Sequence, residues 1–185
     1  MTNRKVAAGV AGLALVAAGG FAAVSASGAA DTAAAPQQAV IKQSAGIEMK
    51  PNRYIKDKLR FNKDVYKVQS GGTLKVVNTV PDEGPHTVTL VKKKDLPSSF
   101  NCKVCEELGK AHGADPNSDK PPRFTFLEDG KGQKKPSDFN KAGDSGITGD
   151  KKGDSFTVDV TAPAGTTRHF MCLVHPWMQA KLVVE

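Results

Sequence analysis

Cys172, His175 and Met178 stand at three-residue steps within the run Cys172-Leu-Val-His175-Pro-Trp-Met178. A thiolate, an imidazole and a thioether on so tight a loop can face one metal ion. His86, directly after Pro85 at the mouth of a strand-like run, supplies a fourth donor from elsewhere in the chain. Two imidazoles and a thiolate with a weak axial thioether are the donor set of a mononuclear copper site able to accept and return one electron. Zinc competes for such donors, but structural zinc takes four Cys or His ligands and has no use for a thioether.

The cysteine count agrees with a metal thiolate. The chain has three cysteines, and outside the cytosol an odd count leaves one thiol needing protection from oxidation. Cys102 and Cys105 are neighbours, so Cys172 is the one left over, and coordination would commit its lone pair. Cys102-Lys-Val-Cys105 reads first as a disulfide stapling a loop; a second metal site with His112, or a redox-active pair, stays open. Haem attachment would need His after Cys105, where Glu106 stands.

These residues have to be held by a β framework. From Ile47 onward short runs alternate with period two between Gly, Pro, Asn and Asp, the pattern of an all-β sandwich with no helix of useful length. Strands are expected over Tyr54 to Arg60, Val65 to Val68, and from Leu74 through Val76 to Asn78 after a Gly71-Gly72 turn. His86, Val88 and Leu90 share one face of the next strand, and Thr87 and Thr89 the other. Near the end, Phe156, Val158 and Val160 alternate with polar residues, Pro163-Ala-Gly165 turns, and Lys181 to Val184 closes the sheet. Arg168, Phe170 and Cys172 share a face, which buries Cys172 and turns His169 and Met171 outward.

Residues 92 to about 153 break the rhythm and read as a long loop insertion, with 128–153 as its mobile part. The chain of 185 residues suits one domain. Arg4-Lys5, the charge-free run Val6 to Val24 and the small residues after it predict a signal peptide over 1–30 and export to the periplasmic or extracellular side; a retained segment would instead anchor the chain in a membrane. Residues 31–45 read as a flexible leader and 46–185 as the domain. Without the leader, 24 of the 26 basic residues face 19 acidic ones, about +5. Scattered lysines, two Tyr and one Trp do not make a nucleic-acid surface.

The ligand run, with Gly71-Gly72-Thr-Leu-Lys-Val-Val-Asn78, Pro85-His86, Pro163-Ala-Gly165 and Phe170-Met-Cys172, resembles the cupredoxins, within them amicyanin and the plastocyanin-type proteins. The likeness covers roughly 50–92 and 154–185, and the Cys-to-His-to-Met spacing matches the short amicyanin-like loop. It implies a Greek-key sandwich of about eight strands holding one copper ion by His86, Cys172, His175 and Met178. It also implies outer-sphere roles for Asn78, Pro85, Thr87 and Phe170, and an electron path through a patch at Pro176 and Trp177.

The family usually has Asn where Thr87 stands. The Thr87 amide remains able to reach the sulfur, but a hydroxyl would have to remake the side-chain tether. The resemblance implies a monomeric one-electron carrier between redox proteins, not an enzyme: four histidines, including His112 and His169, leave too few for further copper centres. The alternative is copper delivery or storage, for which the chain lacks exposed Met- or His-rich runs.

Overall fold

A computed structural model of the chain describes residues 34–185 apart from 100, 116 and 119. The expected signal peptide, 1–30, lies outside the described residues. The leader expected over 31–45 is corrected within them. Gln38–Ile41 forms strand β1 and Gln43–Ser44 forms β2, and Ala39 and Ile41 are buried because they point into the core. The leader has few large apolar residues, and a parallel pairing of β1 with a distant strand is what orders it.

The chain continues through a two-stranded hairpin, β3 (Ile47–Lys50) and β4 (Tyr54–Asp57), then β5 (Arg60–Phe61) and β6 (Val65–Val68). Strand β7 (Gly72–Val77) buries Leu74 and Val76, and β8 (Thr87–Val91) follows a polar loop. After the insertion, β11 (Ser155–Val160), β12 (Thr167–Met171) and β13 (Gln179–Val184) complete the frame. Within the insertion lie helix α1 (Lys103–Ala111) and strands β9 (Phe126–Leu127) and β10 (Ser145–Ile147).

Two sheets make the expected all-β sandwich. One has the order β1-β7-β11 and the other β6-β13-β12-β8-β10-β9. Ile41, Leu74, Val76, Val158 and Val160 from the first meet Tyr66, Val68, Val88, Leu90, Phe170 and Leu182 from the second in one apolar cluster. Period-two alternation places these side chains on the facing surfaces. Phe170 is the hub, with Phe61 and Tyr66 at ring-centroid distances of 5.1 and 5.8 Å.

The insertion departs from its sequence reading in three respects. It contains a helix. Cys102 caps α1 by accepting the Cys105 amide, Glu106 occupies the first turn and Lys110 the last, both favourable to the helix dipole. Second, the stretch 128–153, expected to be mobile, is docked. Its strand β10 joins β8, Phe139 is fully buried, and the Asp144 carboxylate accepts the amides of Asp129, Asn140 and Lys141.

Third, Met171 turns away from the sandwich as alternation requires, yet it is fully buried, under Val91, Cys102 and the Val104 face of α1. Thr87 and Thr89 are buried the same way. β10 pairs with β8 in the same sheet, and the face carrying Thr87 and Thr89 is covered from the side of α1, where His112 contacts Ser145 beside Thr89. His169 remains half-exposed.

On its inner side β10 lies close against the facing sheet at Gly146. A Cβ there would lie 2.5 Å from the Phe156 ring. Gly146→Ala is therefore expected to cost about 1–3 kcal/mol, the usual range for overpacking, measured by urea unfolding. A midpoint equal to that of the parent would show that the insertion does not press on the sandwich at this point.

Candidate metal centre

Three of the four predicted donors converge. The ligand atoms of His86, Cys172 and His175 all lie within 4.8 Å of one another. Cys172 Sγ is 3.7 Å from His175 Nδ1, and the two imidazole rings have centroids 5.1 Å apart. The last turn before β13 sets this up. The Cys172 amide donates to the Met178 carbonyl and the Met178 amide to the His175 carbonyl, which closes the loop on itself. Met178, the fourth predicted donor, sits at the end of that loop, fully buried in the core cluster.

His86 is held by its backbone. Its amide donates to Thr148 Oγ1 and its carbonyl accepts the Thr148 amide, both from the stretch after β10. The ring itself is fully buried, and neither nitrogen has a hydrogen-bond partner. Such an orphaned ring costs free energy unless something else binds it. Burial, with His175 beside it, pushes His86 down to about 4; the Val80 backbone acts the other way, from outside hydrogen-bonding geometry. The ring is thus neutral at ordinary pH, the form that binds a metal.

Cys172 is the one free cysteine among the described residues, and it is buried. Burial pushes its thiol up; the Thr87 amide is the foremost group acting to lower it. His175 is pushed down by burial, with Asp57 acting in the opposite sense. Two neutral imidazoles and one buried sulfur are a fitting cage for one soft or borderline cation.

The surroundings of the donors are specific. The Thr87 amide donates to Cys172 Sγ at 3.3 Å, and Thr87 Oγ1 accepts the Leu173 amide at 2.7 Å. The hydroxyl therefore ties the two ligand loops together. Asn78 Nδ2 donates to the carbonyls of Gly84 and Gly149, and its Oδ1 accepts the Val80 amide, which fixes the loop leading to half-buried Pro85. Phe170, two residues before Cys172 and on the strand that leads to it, packs into the core.

Around His175, Trp177 stands edge-to-face at 5.4 Å, is 40% exposed, and donates its indole N–H to the Leu59 carbonyl. Val174 is 46% exposed and Pro176 half-buried. The half-buried His175 ring is thus flanked by apolar surface. Cys102 and Cys105 form a disulfide. His112 is not joined to them; it contacts Phe124 and Ser145 instead. The roles of Thr148 and Ser145 have no signal in residue spacing, because both depend on where the insertion folds back.

No protein-family model matches the chain, and no curated protein matches its sequence. Several solved structures resemble it. Dithionite-reduced auracyanin from the photosynthetic bacterium Roseiflexus castenholzii is 21% identical over 82% of this chain and 99% of that one, with a TM-score of 0.42. Amicyanin from Paracoccus versutus is 14% identical over 83% of each chain, with a TM-score of 0.36. A purple cupredoxin from Nitrosopumilus maritimus is 15% identical over 80% of this chain and 98% of that one, with a TM-score of 0.37. The functional reading rests on the donor atoms.

Proposed function

We propose that the protein is an exported cupredoxin that carries single electrons between redox proteins, using one copper ion held by His86, Cys172, His175 and Met178. The observation that carries this reading is the fully buried His86 ring, both nitrogens unpartnered, beside the single free thiol and a second imidazole. Bound there, copper would cycle between Cu(I) and Cu(II), with the mixed sulfur and nitrogen set tolerating both states.

The chain's part is to keep that set fixed. Thr87 orients the sulfur, the Cys172–Met178 backbone bond closes the loop, and the core excludes water. Met178, buried at the end of the loop, would add a weak thioether donor. The edge of His175, bordered by Val174, Pro176 and Trp177, is the electron exit, where a small apolar patch suits brief encounters with a partner. The protein acts as a monomer and performs no substrate chemistry.

Adding Cu(II) to the purified protein and recording visible and paramagnetic-resonance spectra tests the reading. A strong thiolate-to-copper band, reversible one-electron reduction and slow release to a chelator are expected. Rapid transfer of Cu(I) with no stable Cu(II) form would instead assign copper delivery, and a colourless oxidised product would remove the copper reading altogether.

A further inference from the structure

Strands β3 and β4 belong to neither sheet of the sandwich. Among the described residues they pair only with each other, as a two-stranded ribbon closed by the turn Pro51-Asn52-Arg53. Met49 lies directly opposite Ile55, and Ile47 stands two residues before Met49, so strand alternation puts all three on one face. Ile47 is 72% exposed, Met49 65% and Ile55 73%. The other face is polar. There Tyr54 gives its hydroxyl proton to the Glu48 carboxylate, which also pairs with Lys58.

A two-stranded ribbon with a bare aliphatic face is marginal in water by itself, and a cluster of exposed bulky side chains marks a contact surface. Charge says what the contact is with. Residues 47–60 carry five basic side chains against two acidic ones, and the whole chain stands at +7. Glu48 is spent on Tyr54 and Lys58, while Asp57, at the root of the apolar face, accepts the Leu59 amide. Among the described residues no ion pair holds Lys50, Arg53 or Arg60. A second copy would set cation against cation, so the fitting occupant is anionic.

Side-chain chemistry then separates a bilayer from an acidic protein. Binding energy at protein interfaces concentrates in Trp, Tyr and Arg, which join large area to a hydrogen-bonding group. The anchors here are two isoleucines and a methionine, and the ribbon's tyrosine is bonded on the opposite face. Aliphatic side chains bordered by Lys and Arg suit an anionic lipid surface, the apolar ends entering the acyl boundary and the long cationic side chains reaching back to phosphate.

We infer that the β3–β4 ribbon is a membrane-contact element: Ile47, Met49 and Ile55 dip below the headgroups of an anionic bilayer, and Lys50, Arg53 and Lys56 meet its phosphates. The unpaired outer edges of the two strands keep the backbone at headgroup level, where water satisfies them. The ribbon is rooted beside the ligand loop, for the Leu59 carbonyl, just past β4, accepts the Trp177 indole N–H at 3.0 Å. The contact therefore keeps the metal centre close to the bilayer surface. It goes beyond the carrier reading, and copper plays no part in it.

The test uses full-length, metal-free protein with vesicles of phosphatidylcholine alone or mixed equally with phosphatidylglycerol. Hydrogen exchange read by mass spectrometry should show residues 47–57 slowed by the mixed vesicles only, with the slowing lost as salt is raised. Ile55→Glu changes an exposed side chain, and it should abolish that protection and weaken vesicle binding about tenfold or more, as expected for one aliphatic side chain kept in water. Lys50→Glu and Arg53→Glu should each weaken binding by roughly fivefold or more. Lys103→Glu, the same change of charge on exposed α1, should leave the ribbon protected. Because the readout is local, vesicle binding through residues 1–30 does not mimic it. Ribbon amides that ignore the mixed vesicles would overturn the inference and leave the face to an acidic protein. Protection that persists in Ile55→Glu, or that grows with protein concentration in the absence of lipid, would overturn it as well, the latter in favour of a second copy.

Discussion

Replacing Cys172 by serine is expected to abolish the strong visible absorption of the copper-loaded protein completely while leaving the fold intact. The side chain is buried, and a hydroxyl is close in size to a thiol, so packing changes little. What is lost is the only free thiolate donor among the described residues. A hydroxyl near neutral pH is not ionised and is a hard, weak ligand, so copper keeps two imidazoles and a distant thioether. Loss of an outer-shell partner costs roughly 10–100-fold in metal affinity, and losing a direct ligand should exceed that range. Optical titration with Cu(II) and far-ultraviolet dichroism read both quantities. An unchanged spectrum in the variant would place the copper somewhere other than the His86, Cys172 and His175 cluster.

Acid should destabilise the metal-free protein by about 3 kcal/mol through His86 alone. Its ring is pushed down to about 4 in the folded state, against an ordinary value of 6.5, and a tenfold change in proton affinity is worth about 1.4 kcal/mol. The sign follows from proton binding. Between those two values the unfolded chain takes up a proton that the folded chain refuses, so stability rises with pH across this window. It is fully present above 6.5 and lost by about pH 4, below which both states are protonated.

His112 and His175 are also pushed down by burial and act in the same direction. Urea midpoints of metal-free protein at about pH 7 and about pH 4 measure the effect, and His86→Leu should flatten the slope because an apolar side chain has nothing to protonate. Equal slopes in parent and variant would mean that the ring is not desolvated. Metal binding competes with protons for the same nitrogens, so copper affinity should fall over the same window.

Much of the centre is legible in the chain because its geometry is local. Cys172, His175 and Met178 are a few residues apart, and a loop that short has few ways to fold. The alternation around Phe170 and around Val88 and Leu90 correctly puts Cys172 and His86 at the inner face. Alternation states which two faces a strand has; it does not state what covers the second one. For that reason Thr87, Thr89 and Met171 read as outward-facing yet are buried beneath the insertion. The same blindness makes 128–153 read as mobile, since Phe139 and Gly146 acquire their partners only across the sheet.

Residue types and short spacings by themselves determined the donor set, the β pattern and the lone thiol. Only the tertiary structure decided that His86 meets the C-terminal loop, that a threonine hydroxyl holds the Leu173 amide, and that the insertion brings Ser145 and His112 to the back of the site. The physical reason is range: strand periodicity and ligand spacing are set by neighbouring bonds, whereas these contacts join residues separated by 33 to 86 positions and exist only once the sheets have closed.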